Sequence, residues 1–413
     1  MSFENNFKLL GEICINYDSK RVPIKESARK KGKYPYYGAS GIVDYIDSYA
    51  FDGEYLLVAE DGENIKTRKT PVAFMAKGKF WVNNHAHILA GNDKAITKYL
   101  MYALQNVNLD AYITGAVMPK ITQSNLNLIS LPYFEIGTQR KIVNILDGLD
   151  KRIDLFKETN KTLESIAQAI FKSWFIDFNP VHAKQQGIAC PGIDKATADL
   201  FPDSFEESEQ GLIPTGWTIK QLKDIAVRHV EKIKNVVDWE NEYLIDLSRI
   251  DSKTLFNIKN GLGKELTTSV TKFAKGDILF GAIRPYFHKV TLANLNGVTN
   301  ISVFVIRPSV DFYHEYLASL MFRETTVDFS VRLSKGTKMP VISWSDLSTL
   351  KITLAPESII KKYSELISPL MKKGIENSAL INTLTSTRDA LLPRLISGKL
   401  DSSNIEEELE GVA

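Results

Sequence analysis

Cysteine is nearly absent. Cys14 and Cys190 are the only two in 413 residues. They exclude a disulfide framework and a four-thiolate zinc site, and fit a reducing, cytoplasmic compartment. Long apolar runs are missing as well. No stretch approaches the roughly 18 uninterrupted apolar residues of a membrane-spanning helix, and the opening MSFENNFKLL lacks the basic-then-apolar run of a signal peptide. Excess charge is missing too. A net charge of +2 does not by itself point to nucleic acid, whose binders usually carry a basic patch or a high pI. What is present, 44% hydrophobic and 24% charged residues, is ordinary for a globular protein. At about 100–200 residues per domain, the length fits two or three domains.

Catalytic motifs are also lacking. In Gly261-Leu262-Gly263-Lys264 the next residue is Glu265, where a phosphate loop needs Ser or Thr, so the segment reads as a turn. Neither G-x-G-x-x-G nor the hydrolase elbow G-x-S-x-G occurs. His85 and His87 would share one face of a strand, but no Cys or acidic third ligand lies near them in sequence. His85 therefore reads as an outward polar residue and His87 as a packed one. A nuclease needs spaced carboxylates and a lysine around Mg²⁺; Asp203, Glu206 and Glu207 are crowded and no lysine follows. Asn179-Pro180-Val181-His182 shares two letters with an amine-holding methyltransferase motif, but its proline suits a helix end. No catalytic residue, metal ligand or resident cofactor is assigned.

A long-range duplication organises the chain. Residues 115–121 (GAVMPKI) recur as residues 336–342 (GTKMPVI), 221 positions later. At the same shift Leu126 matches Leu347, Thr162-Leu163 match Thr383-Leu384, and Ala169 matches Ala390. Such a period is too long for a solenoid and reads as a whole domain plus appendage, present twice.

The appendage is helical. Ile142, Leu146, Leu149, Ile153, Phe156, Leu163, Ala167, Ile170 and Trp174 step by threes and fours, with Asn160 in the one polar slot. That is a heptad seam, in which one buried Asn can fix register. The alternative is an amphipathic helix lying on a core. In the second copy Ile359, Tyr363, Leu366, Leu370, Leu380, Leu384 and Leu391 keep the spacing. Pro369 and Gly374 interrupt it, so a kink or late start is expected. Two such helices, antiparallel and about 60 Å long, would be a spacer between two globules in a pseudo-twofold chain.

The globules read as mixed α/β. Strands are expected at residues 55–59, 71–75 and 80–89, and at 277–280, 289–293 and 301–306. The boundaries drawn are 1–137 for the first domain, 138–178 for its helix, 179–210 for an acidic linker, 211–356 for the second domain, 357–398 for its helix and 399–413 for an acidic tail. Residues 191–210 carry a charge of −5, and so do residues 401–413, leaving +12 on everything else. The near-neutral total thus hides a basic remainder. The basic and polar candidates for DNA contact are Lys33, Tyr37, Ser40, Lys66, Arg68, Lys69, Asn83, Asn84, His85 and Lys120 in the first globule. In the second they are Arg284, Tyr286, His288, Lys289, Asn300, Arg332, Lys335 and Lys338. The frame repeats while its polar loops differ, as two readers of unlike half-sites would.

Residues 34–62 and 79–89, Met118-Pro119 and Met339-Pro340, residues 201–217 and residues 391–400 (LLPRLISGKL) together resemble the specificity subunit of type I restriction–modification enzymes. The resemblance implies two target recognition domains, each reading half of a split, usually asymmetric DNA site, and an antiparallel coiled-coil spacer. It implies a non-catalytic chain holding two methyltransferase subunits and, in the full complex, restriction subunits. S-adenosylmethionine, ATP and Mg²⁺ would sit on those partners. The alternative reading is a coiled-coil scaffold that does not bind DNA.

Overall fold

The computed structural model describes residues 6–115, 117–233, 239–256, 258–266 and 270–400. The expected acidic tail from residue 401 onward lies outside the described residues.

The three-and-four spacing of apolar residues folds into two helices of 40 residues, Ile136–Phe175 and Glu357–Ile396. Their first residues, like their last, are offset by the same 221 positions as the sequence repeat. The second helix neither starts late nor ends at Pro369, which it carries internally. Ile367, Met371 and Ile375 around that proline are buried in one core, and tertiary packing of this kind outweighs local helix propensity. Two expected seam positions fail: Leu366 is 46% exposed and Leu380 43% exposed. The buried line instead runs through Ile359, Tyr363, Ile367 and Met371, steps of four that present a wider face than a narrow heptad seam.

The chain forms two compact units, residues 1–151 with 385–413, and residues 152–384. In the first, six strands lie in the order Cys14–Asn16, Ala86–Gly91, Phe51–Ala59, Ala73–Val82, Lys31–Gly38, Gly41–Ile46. Neighbours are antiparallel except Lys31–Gly38 with Ala73–Val82. Period-two alternation sends Leu56 and Val58 into one core and Leu57 into another. The first of these cores packs Tyr99 and Leu100 of the helix Thr97–Asn106, Ile142 and Leu146 of the first long helix, and Leu391, Leu395 and Ile396 of the second. Arg388 donates to Asp150 across that helix pair at 2.9 Å.

In the second unit a four-stranded sheet has the order Ala226–His229, Val303–Pro308, Ile278–Gly281, Val290–Leu292. It repeats the first four strands of the other sheet, antiparallel throughout. A separate five-stranded sheet joins it in this unit. Here the two long helices pair antiparallel. Asn377 Nδ2 donates to Asn160 Oδ1 at 2.9 Å, Asn160 Nδ2 to the Gly374 carbonyl at 3.3 Å, and Tyr363 OH to the Ala167 carbonyl at 3.3 Å. Glu164, buried on the first helix, accepts from Thr254 Oγ1 and from the N–H groups of Leu255 and Phe256.

Two expectations need correction. Residues 179–210 are not a free linker. They form the helices Asn179–Gln185 and Lys195–Asp199 and a strand, Phe205–Ser208, paired with Gly211–Pro214. Val181 and Phe201 are buried in the second unit's core, so the acidic side chains decorate a packed segment. The run 80–89 is also not one strand; it breaks between Val82 and Ala86. That break is part of the site.

Candidate nucleic-acid interface

Three turns meet at one end of the first unit's sheet. The strand Phe51–Ala59 runs into Glu60, whose N–H donates to the His85 carbonyl at 2.9 Å and whose carbonyl accepts from Ile121 N–H at 2.8 Å. Gly62 N–H donates to the Pro119 carbonyl at 3.0 Å. Asn83 Oδ1 accepts from His85 N–H at 2.8 Å, an Asx turn that reverses the chain between two strands. Thr114 and Lys120 exchange N–H···O bonds at 2.8 Å and close the third turn. Gly115 permits it: its φ is +89°, and a Cβ there would lie 2.2 Å from the Met118 carbonyl. The turn leaves Val117 at its tip 99% exposed and Met118 60% exposed.

An ionic cluster supports these turns. His87, 1% exposed, sets Nδ1 2.5 Å from Asp18 Oδ2 and Nε2 2.8 Å from the Ile121 carbonyl. Arg21 donates to Glu60 Oε2 at 2.5 Å and to the Ala86 carbonyl at 2.9 Å. Lys120 Nζ reaches Glu60 Oε1 at 3.1 Å. Burial would raise the Asp18 carboxyl, but the bond and charge from His87, the Ile88 N–H and Arg21 outweigh it and hold the group below its ordinary value. Glu60 is likewise held low against its burial, by Arg21, Lys120 and His87. At the surface, His85 Nδ1 sits 2.8 Å from Asp61.

The second unit builds the same three turns bond for bond. Ala282 N–H donates to the Ser302 carbonyl at 2.8 Å, Ile342 N–H to Ala282 at 3.0 Å and Arg284 N–H to Pro340 at 2.7 Å. Lys335 and Val341 exchange bonds at 3.0 and 2.9 Å, and Asn300 Oδ1 accepts from Ser302 N–H at 3.0 Å. Asn83 and Asn300, Gly115 and Gly336, and Met118-Pro119 and Met339-Pro340 are kept, while the side chains around them differ. By equivalence of these bonds and registers, Glu60 becomes Ala282, Asp61 becomes Ile283, His85 becomes Ser302, His87 becomes Phe304 and Lys120 becomes Val341. An ionic cluster is replaced by apolar packing, and Arg284 takes the place of Gly62.

Of the sequence candidates, Asn83, Asn84, His85 and Lys120 come together in the first unit, and Arg284, Asn300, Lys335 and Lys338 in the second. Lys66 and Lys69 are exposed on the chain that continues from Gly62. Arg68 instead caps a helix, donating to the Gln105 and Val107 carbonyls. Lys33 and Ser40 are exposed at the far strands, while Tyr37 packs edge-on against Phe80. Tyr286 is exposed beside Phe287. His288 is buried, with Nε2 2.8 Å from the Phe322 carbonyl, and burial pushes its pKa down. Lys289 Nζ is bound to the Leu247 carbonyl, and Arg332 is exposed at the end of the helix Glu324–Leu333. Sequence reasoning missed Asp18, Arg21 and Glu60 as a cluster, because the partners lie up to 69 residues apart. It also missed the exposed tips Val117 and Ile301.

Residues 4–165 match the family model of the type I restriction modification DNA specificity domain. The chain is 27% identical over 375 residues to the type I restriction enzyme MjaIX specificity subunit of Methanocaldococcus jannaschii, covering 84% of this chain and 79% of the relative. Over 150 residues, 35% of this chain and 37% of the relative, it is 37% identical to a putative type I restriction enzyme specificity subunit of Haemophilus influenzae. Among solved structures, the type I restriction–modification S subunit from M. genitalium matches with a TM-score of 0.61 at 14% identity, over 96% of this chain and 97% of that one.

Proposed function

We propose how this chain, which belongs with the specificity subunits of type I restriction–modification enzymes, reads DNA: each unit presents one three-turn cluster to one half of a split target. The observation that carries the reading is the duplicated scaffold with exchanged side chains. Identical backbone bonds hold the turns in both units, while most of the groups they display, a shared exposed methionine apart, are unlike. Sequence is read by side chains at base edges, whereas a shared frame can only position them.

In the first unit the exposed His85–Asp61 pair offers a donor and an acceptor, and Val117 and Met118 offer apolar contact to a thymine methyl. In the second, Arg284, Lys335 and Lys338 are cationic and Ile301, 76% exposed, is the apolar tip. Lys66 and Lys69 suit phosphate contact. The chain is non-catalytic in this reading. It docks two adenine methyltransferase subunits, and restriction subunits join the complete enzyme; S-adenosylmethionine, ATP and Mg²⁺ belong to those partners.

The test is direct. The full chain is co-produced with a methyltransferase subunit, and methylated adenines in the host genome are sequenced. A split motif with two unlike halves is expected. Methylation or binding indifferent to sequence would overturn the reading and favour the scaffold alternative, under which charge reversal at Arg284 and Lys338 leaves all binding unchanged.

A further inference from the structure

Residues 284–288 begin with a non-glycine residue at a left-handed position that the first unit gives to glycine. Pro285–Phe287 form one 3₁₀ turn, and the residues at both its ends, Arg284 and His288, are left-handed with φ of +49°. The first unit solves the same turn with Gly62, φ +106°. Glycine takes such angles freely and arginine does not. A non-glycine residue kept in that region marks a place where its side chain matters.

The backbone is pinned while the guanidinium makes one long hydrogen bond. Arg284 N–H is bound to Pro340, His288 N–H to Pro285, and the His288 ring to Phe322. By contrast, Arg284 Nη2 lies 3.5 Å from the Lys338 carbonyl, at the edge of hydrogen-bond range, and Nε is buried without a partner. The side chain lines an open pocket of 650 Å³ together with Ser248, Ser252, Ile283, Phe287 and Met339. Phe287 is 45% exposed and Met339 53% exposed. A flexible cation suffices for a phosphate; Lys289 also lines the pocket, but its Nζ is bound to the Leu247 carbonyl. A planar donor set flanked by the apolar side chains of Ile283, Phe287 and Met339 suits a planar partner with two acceptors.

We propose that Arg284 reads a guanine in the half-site of the second unit. Its guanidinium donates to O6 and N7 of that base in the major groove, and Phe287 and Met339 exclude water from the contact. The inference rests on the DNA-reading function proposed above and names one base contact within it.

The test uses the full chain with its methyltransferase subunit on the motif that methylome sequencing defines. Each guanine of the half-site is replaced in turn by 7-deazaguanine, which lacks N7, or by inosine, which keeps O6 and N7. One guanine is expected at which the deaza base weakens wild-type binding about tenfold or more while inosine does not. Arg284→Gly should lose the requirement at that position alone, keep the other half-site, and melt no lower than wild type, because glycine relieves the strain. Arg284→Lys, which retains the charge, should keep non-specific affinity and discriminate less. If Arg284→Gly weakens binding equally on all sequences, the residue is a phosphate contact and the inference fails while the DNA-reading function stands. An unchanged motif and affinity also overturns it. A wild-type complex without sequence preference overturns both.

Discussion

At the scale of single residues, the first unit depends on charge where the second uses apolar packing. Asp18 and Glu60 are held below their ordinary carboxyl values. Their stabilising contribution is therefore complete above the usual carboxylate range and is lost as pH falls through the lowered values. The first unit should unfold on acidification below about pH 4, read by hydrogen exchange of the strand Phe51–Ala59. Glu164 in the second unit has the opposite sign. Burial raises its carboxyl against the pull of its three bonds, so its ionised form opposes folding and acid relieves it. Removing one partner of the buried cluster is severe. Asp18→Ala removes the carboxylate that holds His87 Nδ1 and one of the two that face Arg21 and should cost about 3 kcal/mol in chemical denaturation. The equivalent of His87 in the second unit, Phe304, has no such dependence, since its neighbours are packing contacts and the Arg228 guanidinium 4.4 Å over its ring.

At the scale of elements, the two long helices carry both the most legible and the least legible features. Their existence and near-complete extent follow from apolar spacing alone, because a 3.6-residue period repeated over many turns has few alternatives. The GxxMP turns were legible through their repetition, and Gly115 and Gly336 are both left-handed as such turns require. The acidic segment 179–210 misled because composition reports the solvated side chains, whereas its fold is set by the spaced apolar residues Val181, Ala183 and Phe201. The break at residues 83–85 was hidden inside a β-rich run, since an Asx turn is a local hydrogen bond that leaves composition unchanged. Within the helix pair, Asn377→Ala leaves the buried Asn160 Oδ1 unsatisfied and should cost about 1–3 kcal/mol. The Asn160/Asn377 double-mutant cycle should be non-additive. Gly374→Ala tests the packing by its sign. In an exposed helix it would gain about 1 kcal/mol, but here a Cβ would meet the Phe256 ring at 2.6 Å. A loss of about 1–3 kcal/mol is expected, measured as a lowered melting temperature.

At the scale of the molecule, two like frames with unlike side chains predict unlike half-sites. His85→Ala should relax one half of the methylated motif and leave the other intact. Affinity should also fall steeply with salt, by on the order of a thousandfold between 50 and 200 mM if six phosphates are contacted; a salt-insensitive complex would contradict the basic surface. The division of the chain has a further consequence, for its synthesis. Residues 152–384 are one continuous unit, but the other is assembled from residues 1–151 and 385–413. Leu391, Leu395, Ile396 and Leu400 fill the same core as Leu10, Leu56 and Leu146. On the ribosome, the segment made first therefore cannot finish its core until the second long helix has emerged. The unit made second closes before the unit made first, and the early part of the chain waits through the synthesis of more than half of the protein with apolar surface still uncovered.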